Sequence, residues 1–559
     1  VIIGNDAGTG GGAALIDCIV IGYNAMNSTG NNAQTGTVAV GKNALTSLGA
    51  GVGSTAIGWD SGKSVTTGDY NTGYGYNTLG GNTGTALTGD RNTVVGASAG
   101  RDMQGATTNN VIVGDSAGIL LTTGSYNTLV GTYAGDAITT SNNCTLIGRA
   151  SGSAINSTDA NGTVCVGNDS GEALTSAQGS TALGYQALAA EDDGDYSTAV
   201  GYQALKAQTG TSGAVANLAL GYQAGVNITK GRYNTILGFQ AMDSEDVGDR
   251  TIAIGYKALY SQNSDSDNEI TKNTGVGFEA GYYNVTGTEN TYFGYGAGGS
   301  GAGSAYSHSY NTAIGANSLI SLTTGGYNTA VGQNALDELT TGSYNVAIGN
   351  GALHAIDGSE TENVAIGYNA ANNADGATNN VCIGSNATLS TAAGVGQIAI
   401  GKDVACVANN TATLGIGSNT ASLGLDGSDT SWAAASSDER LKENIETSSA
   451  GLGFINDLRP VTYNWKKAKD VDKSLPQYKD SDEPVLGTEY GEILHGFIAQ
   501  EVKQAIDNHE ELADGFKMWK LKDDGTQTVA DGNLVPMLVK AVQELSSKVE
   551  DLEKQLKDK

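Results

Sequence analysis

Asn311-Thr312-Ala313-Ile314-Gly315 is a five-residue phrase that returns, with small changes, about two dozen times between Val1 and Ala405. Clean copies at 328–332 and 345–349 follow it at intervals of 17 residues. A fixed short period indicates a stacked, one-dimensional architecture in which each repeat contacts only its neighbours. The repeat therefore decides the fold of most of the chain.

The glycine that ends the phrase, here called the anchor glycine, occurs 23 times. Of the 22 intervals between anchors, thirteen are 17 residues, none is shorter, and the longest is 22, from Gly255 to Gly277. Variation by insertion alone is what a stacked coil tolerates, because extra residues bulge at a turn. We expect the strands to keep their register across the insertions.

Inside the phrase, β-branched residues alternate with small ones, which is typical of a strand. Thr312 and Ile314 share one face, and Ala313 and Gly315 share the other. We expect the larger face to fill the inside of the coil and the smaller face to let another backbone approach. The joining stretch 340–345 has the Gly, Ser and Asn of turns. Each repeat thus predicts one rung of a parallel β-solenoid.

Stacked rungs rise ~4.8 Å each, so the repeats predict a rod roughly 100 Å long. A coil of 17 residues with one or two Val, Ile or Leu buries little apolar surface, so we expect several chains to associate side by side. Tyrosine occurs 25 times, often next to the anchor glycine, as at Tyr185, Tyr202 and Tyr222. A ladder of stacked tyrosines is expected to stiffen the rod; gripping sugars is the alternative.

Composition limits the partners and divides the chain. With 58 acidic and 29 basic residues the net charge is −29, which argues against nucleic acid and anionic membranes. There is no secretory signal and no apolar run that could span a bilayer. The chain opens inside a repeat without Met, so we expect an upstream tail or anchor module to be missing.

Composition changes sharply near residue 437. All four prolines lie in the last hundred residues, and the last 123 residues hold 17 basic and 25 acidic side chains. The sequence predicts a fibre shaft at 1–430, a linker at 431–436 and a second domain at 437–559. Five scattered cysteines without a Cys-x-x-Cys pair are interpreted as small buried residues. The acidic stretches 191–195 and 263–269 are interpreted as solvated loops; no metal set and no cofactor are predicted.

The end of the chain has a heptad pattern. Apolar residues spaced 3, 4, 3, 4, 3, 4 predict a coiled-coil seam within 535–556, formed by Val535, Leu538, Val542, Leu545, Val549, Leu552 and Leu556. Alternating Val and Leu favour two strands, so the seam alone does not specify a trimer. The alternative is one amphipathic helix lying on its own domain.

Two resemblances extend this interpretation. Phrases such as Asn-Val-Ala-Ile-Gly at 345–349 and 363–367 resemble the head repeats of trimeric autotransporter adhesins, which form left-handed parallel β-rolls in homotrimers. The string Ser-Asp-Glu-Arg-Leu-Lys-Glu-Asn-Ile at 437–445 resembles the start of the endosialidase-type intramolecular chaperone domain. Segments 454–463, 496–502 and 534–545 agree with that domain in order. The matching motif residues are Asp438, Arg440, Leu441, Asn444, Gly496, Phe497, Gln500, Glu501 and Pro536.

The chaperone resemblance implies chemistry as well as assembly. Such domains lie at the C-termini of phage tailspikes and tail fibres, trimerise the fibre, help its β-structure fold and then cut themselves off. It implies that Ser437 is the nucleophile, Lys442 the base, and Ser436–Ser437 the bond that is cut. A neutral lysine can take the hydroxyl proton. Five residues place the two side chains on opposite faces of a strand or ~140° apart on a helix. Either a turn intervenes or, as we favour, the lysine comes from a neighbouring chain.

Together these features predict a mainly β, homotrimeric phage tail fibre located on the virion tail, with an α+β chaperone domain that cleaves itself and no other catalytic activity. Such a shaft is expected to face a host surface glycan or outer-membrane component. A bacterial trimeric surface adhesin carrying the same chaperone is one alternative. A glycan-degrading tailspike is another, disfavoured because no paired carboxylates recur along the repeats.

Overall fold

The structure is a computed structural model. It describes residues 1–81, 84–210, 213–266, 269–299, 306–425, 433–434, 439, 442–475, 477–485, 491–512, 516–522 and 525–558. The chain divides into two compact units, Val1–Ser436 and Ser437–Lys559. Among the helices of these residues, none combines the length and apolar character needed to cross a membrane.

The first unit is a parallel β-solenoid, as the repeat predicts. Each rung contributes one short strand that pairs in parallel with the strands of the rungs before and after it. The rung strands are Ile2–Ile3, Ile19–Ile21, Val38–Val40, Thr55–Ile57, Thr72–Tyr74, Thr93–Val95, Val111–Val113, Thr128–Val130, Thr145–Ile147, Val164–Val166, Thr181–Leu183, Thr198–Val200, Leu218–Leu220, Thr235–Leu237, Ile252–Ile254, Thr274–Val276, Thr291–Phe293, Thr312–Ile314, Thr329–Val331, Val346–Ile348, Val364–Ile366, Val381–Ile383, Ile398–Ile400 and Thr411–Ile416.

Register is kept where rungs are longer. Ile252 pairs with Thr274 across the longest interval, and Thr72 pairs with Thr93 in the same way. Two additional parallel pairs form between insertions, Leu15–Ile16 with Gln34–Thr35 and Gly194–Asp195 with Gly213–Ala214. A short 3-10 helix, Thr158–Ala160, lies in another insertion. The expectation that extra residues bulge at turns without shifting the strands is confirmed.

The anchor glycines are required by backbone conformation and by close stacking. Gly332 has φ +137°, and a Cβ built on it would lie 2.4 Å from the carbonyl oxygen of Gly349, the next anchor. All 23 anchors have φ between +130° and +142°. Only glycine adopts this conformation readily and lets the next backbone approach so closely. The anchors therefore form a continuous column of backbone against backbone.

The expectation about the strand faces is wrong. Ala313 is fully buried, whereas Ile314 is 40% exposed and Thr312 is half-buried, so the small residue points into the coil and the large ones point out. The coil is too thin for two large layers. Its interior is filled from the opposite side by residues such as the fully buried Leu336, and alanine on the strand makes room for them.

The second half of each rung is a series of turns. Asn334 and Leu336 have φ values of +56° and +53°, in the left-handed region. The N–H of Asn334 donates to Ala316 in the preceding rung, and the N–H of Leu336 donates to Ala352 in the following one. Because left-handed residues alternate with others in this segment, its N–H groups bond to the preceding rung and to the following rung.

A column of buried amides runs inside the solenoid. Where an asparagine opens the phrase, it is fully or almost fully buried, and its Oδ1 accepts from the backbone N–H at the same position of the next rung. Between Asn345 and Asn328 this distance is 3.0 Å, and the side-chain amides are joined at 3.1 Å. The longest unbroken column consists of Asn273, Asn290, Asn311, Asn328, Asn345, Asn363, Asn380 and Gln397. These bonds satisfy buried polar groups that would otherwise destabilise the coil.

Aromatic residues after the anchor glycine do stack into a ladder, as expected. Seven consecutive rungs contribute near-parallel rings with centroids 4.8 to 5.4 Å apart: Tyr185, Tyr202, Tyr222, Phe239, Tyr256, Phe278 and Tyr295. We call this set the aromatic ladder. A shorter stack joins Tyr310, Tyr327 and Tyr344. The ring faces cover one another, so mainly edges and hydroxyls point outward.

The acidic stretch at 191–195 is not simply solvated. Glu191 is fully buried and accepts hydrogen bonds from the backbone N–H groups of Gly194 and Gly210, at 2.7 and 2.9 Å. Glu245 and Glu360 hold longer turns in the same way. Burial raises the pKa of Glu191. In the stretch 263–269, Asp267 lies outside the described residues. These buried carboxylates close turns, and their oxygens are already engaged.

The five cysteines are all free and buried, which confirms their interpretation: Cys18, Cys144, Cys165, Cys382 and Cys406. Burial raises the pKa of Cys144 to about 11 and that of Cys382 to about 12. The thiolate is the reactive form, so Cys144 and Cys382 are protected by protonation, and lack of access protects all five thiols. We expect the native protein to be inert to a thiol reagent such as DTNB and the guanidinium-unfolded protein to release five equivalents. A thiol that reacts within minutes in the native state would contradict the buried placement.

The described part of the solenoid ends in an antiparallel hairpin. Thr411–Ile416 pairs in parallel with Ile398–Ile400 on one side and antiparallel with Asn419–Gly424 on the other. Ala433–Ala434 then pairs antiparallel with Asn419–Gly424. The returning strand occupies the edge on which another parallel rung would stack.

The second unit is a small α+β domain. Its helices are α1 (Leu452–Asp457), α2 (Ala499–Asp507) and α3 (Val535–Lys557), with 3-10 turns at Ala468–Asp470, Glu510–Leu512 and Asp531–Leu534. Two antiparallel pairs join Val461–Tyr463 to Leu494–Gly496 and Trp519–Leu521 to Gln527–Val529. Its core is centred on Phe454, Val502, Met518 and Leu534.

Candidate functional site

Only part of the predicted cleavage segment falls within the described residues. Ser436, Ser437, Asp438, Arg440 and Leu441 lie outside them. Lys442 is exposed, and its backbone N–H donates to the carbonyl of Glu439 at 3.0 Å, which marks a turn. A turn is what a Ser437–Lys442 dyad within one chain requires. The pairing of the two side chains remains a prediction.

Two of the chaperone motif segments meet through an ion pair. Arg459 follows α1, and Glu501 lies in the first turn of α2. The guanidinium donates twice to the carboxylate, with Nε 2.9 Å from Oε2 and Nη2 bonded to Oε1. These hydrogen bonds lower the pKa of Glu501. Both side chains are largely exposed, so the pair orients the helices and adds little stability.

The segment from Gly496 to Val502 makes a strand-to-helix junction. Gly496 ends its strand opposite Val461, and a Cβ there would lie 3.3 Å from the Tyr463 ring. Phe497 packs against the core, and Val502 is 1% exposed. Gln500 lies on the exposed side of α2, and Asn444 is exposed with φ +54°. The motif glycine and Phe497 therefore have structural roles, while Gln500 and Asn444 are open to a partner.

The sequence analysis missed His509, because one of its two carboxylate partners, Asp457, lies 52 residues away in the chain. Its Nδ1 lies 3.0 Å from Oε1 of Glu511, and its Nε2 lies 2.9 Å from Oδ2 of Asp457. Its ring also packs edge-on against Phe454, 5.6 Å away between centroids. Hydrogen bonds with Glu511 and Asp457 raise the pKa of His509. Protonated His509 can donate to both carboxylates at once and so ties the end of α1 to the turn after α2.

This arrangement predicts a pH-dependent stability of the second unit. Because the folded-state pKa of His509 is raised, its stabilising contribution is complete below the unfolded value of ~6.5 and is lost as the pH rises through the folded value. We expect urea unfolding of the full chain, followed by tryptophan fluorescence, to show a transition that weakens from pH 6 to pH 8. His509→Gln should flatten that dependence. An equal slope in the variant would assign the effect to other groups.

Helix α3 uses one face within its own domain. Glu544 accepts from the N–H of Leu452 at 2.9 Å at the start of α1, and Ala541 is 5% exposed. Met537 packs against the domain core. The helix predicted from the heptads is present and is 23 residues long, with Pro536 in its first turn.

The seam residues of α3 form a different face and stay exposed. Their exposed fractions range from 44% to 74%, for Val535, Leu538, Val542, Leu545, Val549, Leu552 and Leu556. The alternative that this apolar stripe lies on its own domain is therefore contradicted. Among the residues that the structure describes, no other part of the chain covers the seam.

The solenoid also carries an apolar column on its outer surface. The strand residue directly before the glycine that ends the phrase is apolar in every rung, points outward, and is half-buried or exposed. We call this set the outer column. Its residues are Ile3, Ile21, Val40, Ile57, Tyr74, Val95, Val113, Val130, Ile147, Val166, Leu183, Val200, Leu220, Leu237, Ile254, Val276, Phe293, Ile314, Val331, Ile348, Ile366, Ile383, Ile400 and Leu414.

The comparisons with known proteins bear on the second unit. Residues 437–510 match the family model described as chaperone of endosialidase, Peptidase_S74. Neither the curated proteins nor the solved structures include a match to this chain. The match begins at Ser437 and covers α1, α2 and their intervening pair of strands. A chaperone-of-endosialidase segment thus follows a parallel β-solenoid in this chain.

Proposed function

We propose that the chain is the shaft of a homotrimeric phage tail fibre whose C-terminal domain directs assembly and then cuts the Ser436–Ser437 bond. The observation that carries this proposal is the chaperone match at residues 437–510, directly behind a β-solenoid. The resemblance given in the sequence analysis implies that such a domain trimerises a fibre and helps its β-structure fold.

The outer column supports association along the whole shaft. Soluble monomers rarely expose a long continuous apolar patch, and such a patch usually marks an interface. Here the patch repeats with every rung and so extends as far as the solenoid does. Neighbouring copies of the same chain, running in parallel and in register, would cover it with an identical column.

Helix α3 supports association at the other end of the chain. Its exposed heptad seam has the spacing that packs against another such helix, and a second copy of the chain supplies one. Because the opposite face of α3 is already held by α1 through Glu544, forming a coiled coil does not require the domain to unfold.

The proposed cleavage needs no cofactor. Ser437 Oγ attacks the carbonyl carbon of Ser436 while the Lys442 amine takes the hydroxyl proton. The C–N bond breaks, the nitrogen of Ser437 is protonated, and an ester joins Ser436 to Ser437 Oγ. Water then hydrolyses the ester and leaves a carboxylate on Ser436.

Denaturing electrophoresis of the freshly expressed full chain tests this proposal. We expect two fragments, 1–436 and 437–559, and a single uncut chain for Ser437→Ala and for Lys442→Ala. Ser436→Ala keeps the proposed nucleophile and should still be cut. Cleavage that persists in Ser437→Ala would refute the assigned nucleophile.

Co-expression of the two uncut variants asks which chain supplies the lysine. If Lys442 acts on a neighbouring chain, mixed trimers of Ser437→Ala and Lys442→Ala regain cleavage. No cleavage in mixed trimers would exclude a lysine acting between chains. Light scattering of uncut Ser437→Ala should give the mass of three chains, and a monomer would contradict the assembly itself.

A further inference from the structure

A groove lies on the solenoid between the anchor glycines Gly184 and Gly255. Three features meet there: a run of glutamines, the aromatic ladder and a cavity. Glutamine occupies the second position after the anchor glycine in four consecutive rungs: Gln186, Gln203, Gln223 and Gln240. The rungs on either side carry Asp169 and Lys257 at this position, so stacking does not by itself require glutamine. The aromatic ladder passes through the residue just before each of these glutamines.

The four glutamines form a hydrogen-bonded column, here called the Gln ladder. Nε2 of Gln203 donates to Gln186 at 2.9 Å, Nε2 of Gln223 to Gln203 at 3.1 Å, and Nε2 of Gln240 to Gln223 at 3.1 Å. A primary amide has two N–H donors and two acceptor lone pairs. Each inner amide thus keeps one donor and one lone pair beyond those the ladder uses.

A cavity of about 500 Å³ lies along the Gln ladder. Its polar lining consists of Gln203, Gln223, Gln240, Lys206, Asn227 and Asp243, and small apolar residues complete it. Lys206 and Asp243 carry opposite charges, so the lining is neutral in a chain of net charge −29. The groove therefore offers amide donors and acceptors that repeat with every rung, without a charge that would favour an ionic ligand.

From this geometry we propose that the groove binds a neutral, linear polysaccharide whose hydroxyls bond to the Gln ladder and to Lys206, Asn227 and Asp243. A polymer with a repeating set of hydroxyls matches a surface with a repeating set of amides. An acidic polysaccharide would be repelled by the excess of carboxylates on the chain.

Recognition in this groove depends on hydrogen bonds rather than on stacking. Rings of the aromatic ladder cover one another at 5.0 to 5.4 Å between Tyr202, Tyr222, Phe239 and Tyr256, so their faces are not open to a sugar. No ring of the ladder is among the residues that line the groove. The rings hold the neighbouring glutamines at a constant spacing and leave the selection of the ligand to polar contacts.

This inference deepens the proposed role of the shaft and rests on it only in assigning the groove to an exposed fibre surface. The test uses full-length uncut Ser437→Ala protein, whose assembly is measured separately by light scattering. Immobilised neutral polysaccharides (glucans, mannans and galactans) are compared with acidic ones (polygalacturonate and heparin) by surface plasmon resonance. We expect at least one neutral polymer to bind, and the acidic ones not to.

Two variants and one control separate a binding groove from a structural ladder. Gln203→Ala with Gln223→Ala removes two amides, and Ala207→Trp fills the groove while leaving the Gln ladder intact; each should weaken binding roughly tenfold or more. Asn334→Ala is the control, because it lies at the same repeat position, with φ +56° against +52° for Gln223, but far from the groove. It should bind as the parent does.

The outcomes that overturn the proposal are specific. Absence of neutral-polymer binding by assembled protein, binding of acidic polymers instead, or equal binding by Ala207→Trp would each do so. If Ala207→Trp changes the mass in light scattering, the groove is an interface between copies, which also refutes a glycan site. A protein that binds neutral polymer as a monomer would support the groove and contradict the trimeric shaft, so the two proposals fail separately.

Discussion

Gly332→Ala is expected to destabilise the middle of the solenoid by at least ~3 kcal/mol. The substitution combines two costs, since the backbone at this position has φ +137° and the new Cβ would lie 2.4 Å from the carbonyl oxygen of Gly349. Neither cost can be relieved locally, because the clashing atom is backbone and is itself fixed by the following rung. Far-UV circular dichroism during heating should show a lower or split transition.

The local nature of this effect is measurable. Rungs contact only their neighbours, so peptides covering 312–349 should lose hydrogen-exchange protection before distant rungs do. Gly84→Ala is the matched control, because a Cβ there would have no atom within 4 Å and no positive φ opposes it. A Gly332→Ala protein that melts with the parent would show that the rungs can separate without loss, and the close stacking would then be wrong.

Asn328→Asp is expected to cost ~3–5 kcal/mol at neutral pH. The Asn328 amide donates to Oδ1 of Asn311 at 3.1 Å and to the carbonyl of Gly342 at 2.9 Å, and the side chain is almost fully buried. In an aspartate, a charged carboxylate oxygen would take the place of the amide nitrogen that makes both bonds. This oxygen would then face two acceptor oxygens. The aspartate would keep only the bonds that Asn345 donates to it.

The pH dependence of the variant's stability distinguishes the cost of a buried charge from the cost of altered packing. Burial next to two acceptors raises the folded-state pKa of an aspartate above its unfolded value of ~3.9. Relative to the parent, the Asn328→Asp protein should therefore regain stability as the pH falls through that raised value, because the neutral acid can donate again. Asn350→Asp, at an exposed position bonded to Gln333, is the control and should melt as the parent does. A pH-independent loss in Asn328→Asp would point to altered packing instead.

Much of the fold could be predicted from the repeat alone. The period fixed the number and place of the rung strands, and the insertions-only spacing correctly indicated that Ile252 and Thr274 would stay in register. Alternation also showed which residues share a face. It could not show which face points inward, and the usual preference for large residues inside led to the wrong choice for Ile314 and Ala313. That choice depends on the width of the coil, which is a property of the closed turn and not of the strand.

The candidate site could be predicted less completely. Ordered motifs located the chaperone segment, and the heptads located α3 and its free seam. Three bonds could not be found, because each joins residues more than forty positions apart: Arg459 to Glu501, His509 to Asp457, and Leu452 to Glu544. Buried Glu191 was also missed: an acidic run looks solvated in sequence unless the turn that uses it is known.

The hairpin Thr411–Ile416 with Asn419–Gly424 has a consequence for how a solenoid of this kind can change in length. Both edges of an interior rung present the same bonding pattern, so whole 17-residue units can be duplicated or lost in evolution without remodelling their neighbours. The returning strand closes the series of rungs on its C-terminal side. The length of the solenoid can therefore change in steps of ~4.8 Å at the gene level, while the sequence of the closing hairpin and of everything after it stays the same.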